Sequence, residues 1–109
     1  MAHLSQKSVL LALLLIAFPT WVVAEDKPLT YERDIRPIFR AHCFDCHGAT
    51  KDKKGKLDLR LKRFMVGGGE TGPAIVPGKP QESLLLHRLQ VGEMPPGDTR
   101  VPDDQIKIL

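Results

Sequence analysis

Cys43-Phe44-Asp45-Cys46-His47 gathers two thiols and an imidazole into five residues. In an exported chain, the C-x-x-C-H pattern reads as a site of covalent c-type haem attachment. If Ala41 to His47 is helical, Cys43, Cys46 and His47 fall at i, i+3 and i+4 on one face. Two thiols can then add to the two haem vinyl groups while the imidazole reaches the iron from the same side. His42 lies about 100° around such a helix from Cys43 and shares that geometry less well.

Three other chemistries compete for the same residues. A Cys43–Cys46 disulfide would form in an oxidising compartment, but it gives His47 no role. A thioredoxin-like redox pair needs a βαβ context, and no βαβ pattern surrounds this one. A structural zinc site needs four ligands, and two cysteines with a distant His87 fall short.

A haem held by one histidine has a second axial position. Glu93-Met94-Pro95-Pro96-Gly97 offers a soft thioether on a proline-stiffened loop, and together with the upstream motif it makes Met94 the expected distal ligand. Met65 and His87 are the rivals. Metal-bound histidines usually donate their other ring nitrogen to a carbonyl or carboxylate. The Pro73 carbonyl, in the loop Thr71-Gly72-Pro73-Ala74-Ile75-Val76-Pro77-Gly78, is the expected acceptor for His47.

The elements that must position these groups begin after a targeting segment. His3 and Lys7 precede an apolar run from Val9 to Phe18, and Val22-Val23-Ala24 closes it. That run is short for a bilayer span, which takes about 20 residues. It reads as a secretory signal over residues 1–24, cut after Ala24, with an uncleaved membrane tether as the alternative. Either reading exports the domain to the periplasm or another extracytoplasmic space, where bacterial haem attachment also takes place.

The 85 residues from Glu25 to Leu109 make one small domain. A chain of this size builds a modest core and often needs a staple. Its large aromatics are few: Tyr31, Phe39, Phe44 and Phe64. A covalently bound haem would supply apolar surface that the chain lacks, so the haem-free protein is expected to fold poorly. Loss of Lys7 lowers the formal charge from +3 to +2, too mild for a nucleic-acid partner. There are no internal repeats.

Thr30 is placed to cap a helix with apolar positions Tyr31, Ile35, Ile38 and Phe39, which Pro37 should kink or divide. Gly48 should stop the chain's helix after His47. Lys51, Lys53, Lys54 and Lys56 read as a solvated loop, with a positive docking rim for an acidic partner as the less favoured alternative. Leu57, Leu59 and Leu61 alternate as a half-buried extended piece, and Phe64-Met65-Val66 is a brief apolar turn. Gly67-Gly68-Gly69 lacks the spacing of a nucleotide loop. Pro80 should begin a helix with Leu84, Leu85, Leu86 and Leu89 as its apolar face, closed by Gly92. Pro102 to Leu109 starts another, only about two turns long and with an unfinished apolar side, which suggests that the natural chain continues.

With these residues in view, the sequence resembles the planctomycete-type cytochrome c domain. The resembling segments are Asp34-Ile35-Arg36-Pro37-Ile38-Phe39, Cys43 to Gly48, Gly72 to Pro80, Ser83-Leu84 and Met94-Pro95-Pro96. The resemblance implies a mostly α, class I-like cytochrome c fold, with short helices and long loops wrapped around one covalent haem c. It also implies His47 and Met94 as axial ligands.

The expected function is one-electron transfer through a His/Met-ligated iron, with no substrate chemistry at the metal and no small-molecule substrate. The redox partner protein is not named by the sequence. A haem-based sensor that binds a small ligand in place of a labile Met94 is the alternative. A haem-free structural or disulfide module is a third class.

Overall fold

The computed structural model describes residues 26–109. The expected signal segment and its cleavage after Ala24 lie outside the described residues. Within them the chain is mostly helical, with long loops and no strand. The α-helices are α1 (Arg36–His42), α2 (Phe44–His47), α3 (Lys62–Gly67), α4 (Leu84–Gln90) and α5 (Asp103–Ile108). None is long and apolar enough to cross a membrane.

Pro37 divides the first helical segment, as its missing N–H requires. A wide π-type turn over Tyr31–Ile35 precedes α1, and the Arg36 N–H bonds back to the Tyr31 carbonyl. Thr30 caps this turn by accepting from the Arg33 N–H. A second break was not expected. The Ala41–His47 helix is interrupted at Cys43, whose φ of −129° ends α1 and begins α2. The turn that matters survives, because the Cys43 carbonyl accepts from both Cys46 N–H (3.2 Å) and His47 N–H (2.8 Å). Gly48 ends α2, where a Cβ would press on the Phe44 ring at 2.9 Å.

The expected helix from Pro80 is also divided. Pro80–Glu82 forms a 3-10 turn, Ser83 is extended, and α4 starts only at Leu84. The cause is the buried Ser83 side chain. Its hydroxyl accepts from Val76 N–H at 3.0 Å and donates to the Lys79 carbonyl at 3.1 Å, which holds the residue out of the helix. Local side-chain bonds of this kind compete with helix formation.

The core comprises two small clusters. Phe39, Leu59, Met65 and Ala74 form one; Ile38, Leu89 and Val101 form the other. Leu85 and Leu109 pack against both. No large side chain among the described residues is completely enclosed. A core this thin supplies little hydrophobic stabilisation, consistent with the scarcity of aromatics.

The triple glycine has a packing role. A Cβ at Gly68, which sits at φ 76°, would overlap the Gly72 carbonyl, and one at Gly69 would overlap the Gly55 carbonyl. Only glycine lets the Lys54–Lys56 turn and the Gly69–Gly72 loop approach so closely. Two of the neighbouring lysines face carboxylates, Lys53 to Asp58 and Lys56 to Glu70, each at 3.8 Å. The lysine run is thereby partly neutralised.

Candidate haem-binding site

A cavity of about 410 Å³ lies between the motif and the C-terminal half of the domain. Cys43, Cys46 and His47 line it from the α1–α2 junction, and Met94 lines it from the loop after α4. Phe39, Leu57, Leu59, Leu85 and Leu89 make much of its wall. Two thiols, an imidazole and a thioether thus face one hollow that is otherwise largely apolar. That donor set fits a haem: sulfur for its vinyl groups, nitrogen and soft sulfur for its iron, and carbon for its faces.

Cys43 and Cys46 are unbridged. Burial pushes the Cys43 thiol up to about 11, because the apolar surroundings disfavour a thiolate. Cys43 is therefore a neutral thiol near pH 7, suited to adding across a vinyl double bond and a poor metal ligand in that form. Among the described residues no cluster of three or more His, Cys, Asp or Glu side chains could hold a metal ion. The zinc reading gains no support.

His47 Nδ1 lies 3.3 Å from the Leu57 carbonyl oxygen. A carbonyl only accepts, so Nδ1 carries the proton and Nε2 keeps its lone pair. Pro73 does not serve as that acceptor; it is exposed and does not line the cavity. The sequence offered Pro73 through its rigid Gly-Pro loop. The contact instead comes from the backbone at Leu57, brought back to α2 by the Leu59 N–H bond to the His47 carbonyl at 2.9 Å.

Met94 is held by its backbone. Its N–H bonds to the Arg88 carbonyl at 3.2 Å, and Gly92, at φ 76°, turns the chain off α4. Two rival ligands stand elsewhere. Met65 is buried in the Phe39 cluster, and His87 is exposed and does not line the cavity. His42 does line it, but its Nε2 is engaged at 2.9 Å by Gln105 Oε1 of α5.

A family profile described as Planctomycete cytochrome C matches residues 43–98. The chain belongs to this family. The matched span opens at Cys43, takes in His47 and Met94, and covers just over half of the sequence. Membership implies covalent haem c and points to haem-based electron transfer. No curated protein and no solved structure matches the chain.

Proposed function

We propose that this chain is an exported carrier of single electrons. One haem c would be bound through Cys43 and Cys46, with His47 and Met94 as axial ligands. The observation that carries the reading is the convergence of those four side chains on one largely apolar cavity, with His47 Nδ1 committed to the Leu57 carbonyl.

Bound haem supplies an iron that gains or loses one electron. The protein's own part is to hold that centre still. Cys43 and Cys46 would hold the haem covalently, each S–H supplying the sulfur and the hydrogen for addition to one vinyl group. The Leu57 carbonyl fixes the His47 tautomer and ring orientation. Met94 offers a neutral, soft sulfur, which favours a higher potential. The leucine-rich wall excludes water and lowers the local dielectric. With His47 and Met94 both available to hold the iron, the site would serve electron transfer to an acceptor protein and not substrate turnover.

The test is an optical spectrum of the domain exported from a host with haem-maturation machinery, taken oxidised, reduced, and reduced under carbon monoxide. Denaturing electrophoresis of the same sample completes it. Haem that stays with the denatured chain, a far-red methionine–iron band and no reaction with carbon monoxide are expected. Haem that washes out defeats covalent attachment, and ready carbon monoxide binding favours a small-ligand sensor.

A further inference from the structure

Haem carries two propionate carboxylates, and a largely apolar cavity accepts a carboxylate only at a cost unless a cation or donor meets it. Among the described residues Arg88 of α4 contributes the only guanidinium to the cavity lining, where the other cationic side chain is Lys54. The remaining charged or titratable groups there are Asp45, Glu70, His42 and the proposed haem-binding residues themselves. Glu70 faces Lys56 at 3.8 Å, and His42 Nε2 faces Gln105 Oε1 at 2.9 Å.

The Arg88 side chain is only 33% exposed, yet its guanidinium donates no hydrogen bond to any described protein atom. Its one ionic neighbour among the described residues is Glu93 Oε2 at 3.6 Å. Arg33, Arg36, Arg60 and Arg100 donate hydrogen bonds, while Arg40 and Arg63, which like Arg88 donate none to described atoms, do not line the cavity. Glu93 is itself 56% exposed, and exposed pairs of this kind are weak. A guanidinium fork matches a carboxylate in two parallel hydrogen bonds, which a lysine cannot do.

We propose that Arg88 leaves Glu93 and pairs with a haem propionate, making it the residue that orients the haem in its cavity. This rests on the haem reading above. The same residue's carbonyl accepts from the N–H groups of Glu93 (2.9 Å) and Met94 (3.2 Å). Arg88 therefore ties the haem's carboxylate edge to the loop that carries the distal sulfur. It is a positioning residue, and Lys54, an exposed amine on a different turn, is not its equivalent.

The test uses the exported holoprotein at one fixed pH. Resonance Raman reads the propionate bending vibration, and NMR of the reduced, diamagnetic form reads the Arg88 Nε–H. In the wild type that proton should be displaced by the haem ring current and exchange slowly with water. Arg88→Gln should shift the bending vibration while keeping the methionine–iron band, Arg88→Lys should restore it in part, and Glu93→Gln and Lys54→Gln should leave it in place. An unmoved vibration in Arg88→Gln, or a shift in Lys54→Gln instead, overturns the assignment. So does a wild-type Arg88 proton that resonates like a solvated arginine, a measurement that decides even if Arg88→Gln yields no holoprotein. Those results leave attached haem and its methionine band intact and so reach Arg88 alone. A wild type without covalent haem overturns both readings.

Discussion

His47 Nδ1 faces the Leu57 carbonyl at 3.3 Å, so the imidazole that follows the second cysteine is oriented by backbone ten residues further on. Leu57 leaves the Lys54–Lys56 turn, and the Gly69–Gly72 loop packs against that turn through the Glu70 N–H bond to the Gly55 carbonyl at 2.9 Å. The orientation of His47, the proposed haem ligand, therefore depends on the triple glycine.

Gly69→Ala tests that dependence. Its new Cβ would overlap the Gly55 carbonyl and crowd Leu57 at 3.2 Å. Overpacking of this kind costs about 1–3 kcal/mol. The holoprotein should lose that much in urea titration, and its iron–histidine vibration should weaken as the Leu57 acceptor moves away. Unchanged stability and an unchanged vibration would remove the Leu57 carbonyl from the account.

Met94→Ala should abolish the far-red band and open the iron to carbon monoxide. It should also lower the midpoint potential by on the order of a tenth of the ~0.8 V span that axial ligation controls. His87→Ala should change none of the three, because His87 is exposed and outside the cavity. Loss of the band in His87→Ala would reverse the ligand assignment.

Ser83→Ala removes a buried hydroxyl that receives Val76 N–H and reaches the Lys79 carbonyl. The backbone groups left without a partner should cost about 1–3 kcal/mol. Thermal or urea unfolding measures it. Since Ser83 does not line the haem cavity, the spectrum of the folded variant should match the wild type.

Asp58 is held below the ordinary carboxylate range, first by its hydrogen bonds to the Arg60 side chain and then by the Arg60 backbone N–H. The unfolded chain, with an Asp value of about 3.9, takes up the proton first as the pH falls. Stability from this group is complete above that value and is lost as the pH drops through the lower folded value. The urea midpoint of the wild type should fall more steeply than that of Asp58→Asn below pH ~4. Parallel curves for the two proteins would show that Asp58 adds nothing.

The chemistry was legible in the sequence because it is local. C-x-x-C-H needs one turn of backbone to bring two sulfurs and an imidazole together, and the turn closes on the Cys43 carbonyl even though the helix breaks there. Pro37 and Gly92 acted where they stand, since a missing N–H and a left-handed φ are properties of single residues. Met94 was singled out by its type and its prolines, and it lines the same cavity as the motif. Nothing in its spacing from Cys43 fixed the shared cavity; in the fold Met94 packs against the Ile38, Leu89 and Val101 cluster. What supports His47 was decided only by the tertiary structure. The choice of Leu57 over Pro73 turns on glycines that admit a backbone approach no side-chain pattern encodes. The same holds for Ser83, an ordinary helix start in sequence, which a hydroxyl bound to Val76 and Lys79 keeps extended. Composition and spacing determine which groups can react. Long-range backbone contacts decide which of them meet, because such contacts depend on shape at both ends.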